Sequence, residues 1–97
     1  METRVAILAI VVEERERAED LNRILHEYSK YVVGRMGIPY EKRGVSIISV
    51  AVDAPSDVIS ALSGKIGRLE GISTKTIYSK LPDNGVALRQ KQPETET

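Results

Sequence analysis

The chain has 97 residues with 14 basic and 14 acidic side chains, for a formal net charge of zero. That describes one small domain, only marginally able to build a core alone. The charge balance argues against a general nucleic-acid or membrane-surface binder, which carries a basic excess. Cysteine is absent, which excludes disulfides, thiolate metal sites and cysteine nucleophiles and fits a cytoplasmic protein.

Val5 to Val12 (VAILAIVV) is rich in β-branched residues and apolar at every position, the pattern of a strand covered on both faces. It is too short to span a bilayer and lacks the basic start and cleavage site of a secretory signal. Glu14 to Lys30 changes period. Ala18, Leu21, Leu25 and Tyr28, with Ile24 beside them, make one apolar stripe on a charged helix. Its acidic start (Glu13, Glu14, Glu16) and its basic end (His26, Lys30) suit the helix macrodipole.

Tyr31 to Tyr40 (YVVGRMGIPY) reads as a weaker strand. Gly34, Gly37 and Pro39 place it at a sheet edge. The polar turn Glu41-Lys42-Arg43-Gly44 leads into Val45 to Val52 (VSIISVAV), a second strand apolar on both sides. Asp53-Ala54-Pro55 opens another helix, with Val58, Ile59, Leu62 and Ile66 as its stripe. Gly71 makes a turn before a half-polar strand, Ile72 to Ser79.

The order βαββαβ is the ferredoxin-like arrangement. The expected fold is therefore α+β: a four-stranded antiparallel sheet with two helices on one face, spanning residues 1–80. In that arrangement the first and third strands are central, and they are the two most apolar here. Helices cover one face only. The other, with Val45 and Ile47, needs a cover that this domain does not supply, and a second copy is the simplest one. For residues 81–97 the expectation is a turn at Leu81 to Gly85, a candidate short fifth strand at Val86 to Arg89, and a disordered tail from Pro93 to Thr97.

The stretch LSGKIGRLEGIS, Leu62 to Ser73, resembles a phosphate loop only at first sight. The motif needs G-x-x-x-x-G-K-[ST] at a helix start. Here Ile59 stands where the first glycine belongs and Ile66 where the hydroxyl belongs, and the Gly-Lys pair falls late in a helix. A packing role accounts for more. Ser60, Ala61, Gly64 and Gly67 form a strip of small residues that would let a backbone approach closely, and Gly67 suits a helix C-cap.

His26 has Asn22, Arg23 and Lys30 at helical spacing, which is not a metal shell, so no metal site is expected. No catalytic set is expected either, since a Ser-His-Asp arrangement cannot be built around one unplaced histidine. Glu13, Glu14 and Glu16 read as a solvated helix start. The richest segment for binding is Gly34 to Gly44. It holds glycines, Tyr40, and the arginine forks of Arg35 and Arg43, which suit a carboxylate or phosphate. Arg35, Tyr40 and Arg43 are therefore the candidate ligand-binding residues, against the plainer reading of an irregular hairpin with solvated charges.

The runs Tyr31–Tyr40, VSIISV, DVISALSGKIGRLEGI and KTIYSK resemble a family of small prokaryotic proteins that carries the name iron-only hydrogenase system regulator. The most distinctive match is ISALSGKIGRLEGISTKT, Ile59 to Thr76. The resemblance implies an ACT-like domain, similar to the effector domain of the nickel-responsive repressor, that assembles as a homodimer or homotetramer. It implies a regulatory role and supplies no catalytic residues. One histidine and no cysteine argue against nickel sensing, and no segment provides that repressor's DNA-binding arm. The turn after the first strand lacks the glycine of many amino-acid-binding ACT domains.

The central strands carry no aromatics for RNA stacking and the chain has no C-x-x-C for a heavy metal. The reading is a non-enzymatic, homo-oligomeric regulator without a cofactor. It senses a small anionic ligand or contacts a protein partner, with no direct nucleic acid and no membrane. The alternatives are an assembly module without ligand and a small enzyme acting on an anion at the Arg35–Arg43 segment.

Overall fold

A computed structural model describes residues 2–80. The expected fifth strand over Val86 to Arg89, the turn before it and the tail after it lie outside the described residues. The elements run β1 (Arg4–Val12), α1 (Ala18–Glu27), β2 (Val32–Tyr40), β3 (Val45–Ala54), α2 (Ser56–Gly67) and β4 (Ile72–Tyr78). Single 3-10 turns at Arg15–Arg17, Ser29–Tyr31 and Glu41–Arg43 connect them. The sheet order is β2-β3-β1-β4 and every neighbouring pair is antiparallel. The two strands most apolar in sequence are thus the central pair, as the βαββαβ order requires.

The core forms where three apolar stripes meet. Ala6, Leu8, Ile10 and Val12 of β1 alternate inward with Val50, Val52 and Ala54 of β3. Leu21 and Leu25 of α1 and Ile59, Leu62 and Ile66 of α2 close over them. Each helix therefore buries the stripe its 3.6-residue period marks out. Full burial of such side chains is worth about 1.5–3 kcal/mol each. All buried side chains in this set are aliphatic, since the chain holds neither Phe nor Trp.

Several boundaries differ from the sequence reading, among them the start of the second helix, where Asp53 and Ala54 end β3 and α2 opens only at Ser56. The first helix begins later, because Arg15–Arg17 is a 3-10 turn and the α-helical bonds start at Ala18. At its other end Tyr28 leaves helical geometry (φ −104°, ψ 16°) and a second 3-10 turn feeds β2. Gly67 is the last residue of α2, and Arg68 takes the C-cap position.

The central strands are covered on one face, not both. Ile7 on β1 and Ile47 on β3 are each 44% exposed. Alternation explains this: the odd residues of β1 and β3 point away from both helices. The all-apolar pattern of these strands records a second face that no described element covers.

Two contacts tie neighbouring elements together, one between the helices and one between the turns that follow β1 and precede β4. Lys65 of α2 donates to Glu27 of α1 at 3.2 Å and lies over the Tyr28 ring, 5.2 Å from its centroid. The turn after β1 is held by the turn before β4, where the Glu13 and Glu14 amides donate to the Gly71 carbonyl at 2.7 and 3.2 Å.

Candidate functional site

β2 carries most of the candidate binding residues, and a β-bulge decides where they point. Val32 pairs with Val52, yet Gly34 pairs with Ala51, so Val33 is an extra residue with no partner. Across a bulge the alternation slips by one. Val32 and Arg35, an even and an odd position, consequently share the helix-covered face. Arg35 sits opposite Val50, whose side chain points into the core. Gly34, Met36, Ile38 and Tyr40 take the open face.

The three residues singled out in sequence separate, because Arg35 and Tyr40 stand an odd number of positions apart in a regular stretch of β2 and alternation sends them to opposite faces. Arg35 turns toward α1, where its Nη2 donates to Asn22 Oδ1 at 3.2 Å. Tyr40 lies five residues on, about 17 Å at the usual rise of a strand, and faces the other way. Tyr40 and Arg43 do meet. With Val11, Val45 and Ile47 they line an open cleft of about 360 Å³ at one end of the open face. Glu13 lines it too, its Oε2 accepting from Ser73 Oγ at 2.6 Å. An acid already stands beside Arg43, so this cleft brings a negative charge of its own to any anion.

Arg35 belongs to a second cleft of about 360 Å³ between α1 and β2. Its floor is Leu25, Val32 and Val50, and its rim is Asn22, His26, Ser29 and Arg35. Asn22 and His26 are one helical turn apart on α1 and so project together. Sequence reasoning placed these two side by side but had no means of setting Arg35 against them. The bulge that does so leaves no clear mark in the sequence beyond Gly34.

The open sheet face is the third feature. In its middle row two small residues of the central strands, Ala9 and Ser49, stand between Met36 on β2 and Lys75 on β4. Ile7, Ile38, Ile47 and Ile77 flank that row, and Met36 and Ile77 are 66% and 63% exposed. Asp53 at one end and Lys75 on the edge strand are its strand charges. At strand spacings the face measures roughly 27 by 19 Å, on the order of 500 Å² in projection.

The small-residue strip of α2 does not receive a backbone within the protomer. A Cβ built on Gly64 would meet nothing closer than the Arg68 guanidinium at 3.5 Å, and one on Gly67 would reach Thr74 Cγ2 at 3.8 Å. Both are ordinary contacts, which overturns intramolecular close packing as the reason for these glycines. Lys65, the lysine of the Gly-Lys pair, is inside α2 and engaged with α1, away from any phosphate loop. Among the described residues no group of three His, Asp or Glu converges to hold a metal, and no helix is long and apolar enough to cross a membrane.

Sheet order, helix placement and the bare face together define an ACT-like domain of the ferredoxin-like class. A formyltetrahydrofolate deformylase from Pseudomonas putida KT2440 contains the same fold, with a TM-score of 0.55 at 18% identity over 74% of this chain and 28% of that one. Residues 4–76 match the family model described as "TM1266-like: Iron-only hydrogenase system regulator, putative", and the chain belongs to this family. The solved structure of the uncharacterized protein TM1266 from Thermotoga maritima is similar at a TM-score of 0.78. It shares 40% identity over 81% of this chain and all of that one. A search of curated proteins gave no match.

Proposed function

We propose that this protein is a non-enzymatic regulatory domain of an iron-only hydrogenase system, that it works as a homo-oligomer joined through its open sheet faces, and that it responds to a small ligand or a protein partner. The family name supports the regulatory role. The observation that carries the assembly is the bare apolar face, where Ile7, Met36, Ile38, Ile47 and Ile77 stand exposed on one side of the sheet. A face on the order of 500 Å² falls among the largest patches that single domains carry, and such patches often serve as interaction surfaces. The small central row, Ala9 and Ser49, lets a second sheet come close. A second copy is the favoured occupant because a net charge of zero sets no overall repulsion between copies. A cytoplasmic setting and the absence of a cofactor, nucleic acid or membrane partner are part of the same reading.

Light scattering tests it. The wild type is expected to be a dimer or tetramer at micromolar concentration. Ile47→Asp is expected to give a folded monomer by circular dichroism, because Ile47 is 44% exposed in the single chain and adds little to its core. A wild-type monomer, or an Ile47→Asp protein that stays assembled, would sink the proposal.

A further inference from the structure

We infer that the cleft between α1 and β2 binds a small organic carboxylate with a short apolar body, held by Arg35, Asn22 and His26. This rests on the reading of the chain as a ligand-responsive regulator and not on the pairing of sheet faces.

Chemistry defines the ligand class. The arginine fork matches a carboxylate bidentately. Arg35 has no acidic partner among the described residues, and its one side-chain bond, an exposed one to Asn22 Oδ1 at 3.2 Å, directs the guanidinium toward α1 while leaving donors free. The Asn22 amide, the His26 imidazole and the Ser29 hydroxyl supply further donors around the rim. Below them the floor is aliphatic: Leu25 and Val50, both buried, and Val32. A site with one charge-matching fork over an apolar floor takes a ligand with one charged end and one greasy end. None of the lining residues is acidic. A free ammonium would therefore find no counter-charge beside Arg35, which disfavours a zwitterionic amino acid. Inorganic phosphate would leave the floor empty.

The backbone supports a built cleft. The bulge at Val33 brings Arg35 onto the same face as Val32. Val32 and Arg35 both line the cleft, opposite the buried Val52 and Val50 of β3. The volume of about 360 Å³ lies in the range of small-molecule sites.

The test uses nitrogen-labelled full-length protein and three probes: isovalerate, valine (the same skeleton with an ammonium) and inorganic phosphate. Isovalerate is expected to give saturable amide shifts centred on Asn22, His26, Ser29 and Val50. Valine and phosphate should bind at least tenfold more weakly. Arg35→Ala should weaken isovalerate binding tenfold or more, and Arg35→Lys should restore part of it as a point charge without the fork. Asn22→Asp, which sets a carboxylate against Arg35, should abolish binding and provides the test if Arg35→Ala fails to fold. Four results would each overturn the inference: no saturable shift with isovalerate, shifts centred on Tyr40 and Arg43, valine or phosphate binding as tightly, or a folded Arg35→Ala protein with unchanged affinity. Light scattering on the same samples separates the two proposals. An assembled protein that does not bind refutes the cleft alone, and a monomer that binds refutes the sheet-face assembly alone.

Discussion

Gly71 is the residue at which glycine is indispensable. Its φ is +78°, and a Cβ there would fall 2.7–2.8 Å from Glu14 Cδ, Cγ and Cβ. The left-handed conformation alone costs an L-residue about 1–2 kcal/mol. The clash includes the Glu14 Cβ, so rotating that side chain does not clear it. Gly71→Ala is expected to lower stability by at least about 1–2 kcal/mol, read from denaturant unfolding. Gly64 should behave in the opposite way. It sits inside α2, where an added Cβ would make only an ordinary contact with the flexible Arg68 guanidinium at 3.5 Å, and alanine is favoured over glycine in a helix by about 1 kcal/mol. Gly64→Ala should raise the melting temperature. A Gly64→Ala protein that melts lower or loses its assembly would mean that the strip is used between copies. Sequence legibility differs between these two glycines for a plain reason. A turn after an amphipathic helix announces a positive φ, whereas a helical glycine says nothing about what lies opposite it.

Among the elements, α1 has the clearest electrostatic signature. Hydrogen bonds from Arg23 first, and then Arg17, hold the Asp20 carboxyl below its ordinary value of 3.8. A carboxyl whose folded value lies below its unfolded one contributes stability above the unfolded value and loses it as pH falls through the folded one. Asp20→Asn should therefore lower neutral-pH melting slightly, since the pair is exposed, and should flatten the decline of stability below about pH 4 by the same small amount. A titration of melting temperature against pH checks this, and an unchanged acid decline would show that Asp20 has no part in it. β2 offers a structural counterpart. Val33 is 70% exposed and lies outside the pairing register. Its deletion should keep Val32 opposite Val52 and Arg35 opposite Val50, with a small change in melting. Deletion of Met36, which is in register, should flip one side of the strand to the wrong face and destabilise strongly.

Across the whole molecule the contrast is between the two faces of one sheet. One face lies under α1 and α2 and holds the aliphatic core, and the other is nearly as apolar and bare. Association through the bare face would be driven by apolar burial, with Asp53 and Lys75 at its margins. Its affinity should change little between low and high ionic strength, because screening acts on exposed charges, and should carry a negative heat-capacity change. Dilution calorimetry at two salt concentrations measures both. A strong loss of affinity with added salt would point to a charged interface and away from the sheet.

The sequence by itself determined the order of elements, the stripes that face the core and the central position of β1 and β3. These follow from local periodicity, which is written residue by residue along the chain. It also signalled that one face of the sheet would lack a cover, because β1 and β3 are apolar at alternate positions that two helices cannot both reach. It singled out Arg35, Tyr40 and Arg43 by chemical type. Only the tertiary structure decided that Arg35 turns to α1 while Tyr40 and Arg43 meet Glu13 on the open face. Alternation alone puts Arg35 and Tyr40, five positions apart, on opposite faces; the unpaired Val33 sets which face each takes relative to Val32. A bulge is fixed by pairing with β3, a non-local interaction, so the strand's own residues do not reveal which face each of them will take.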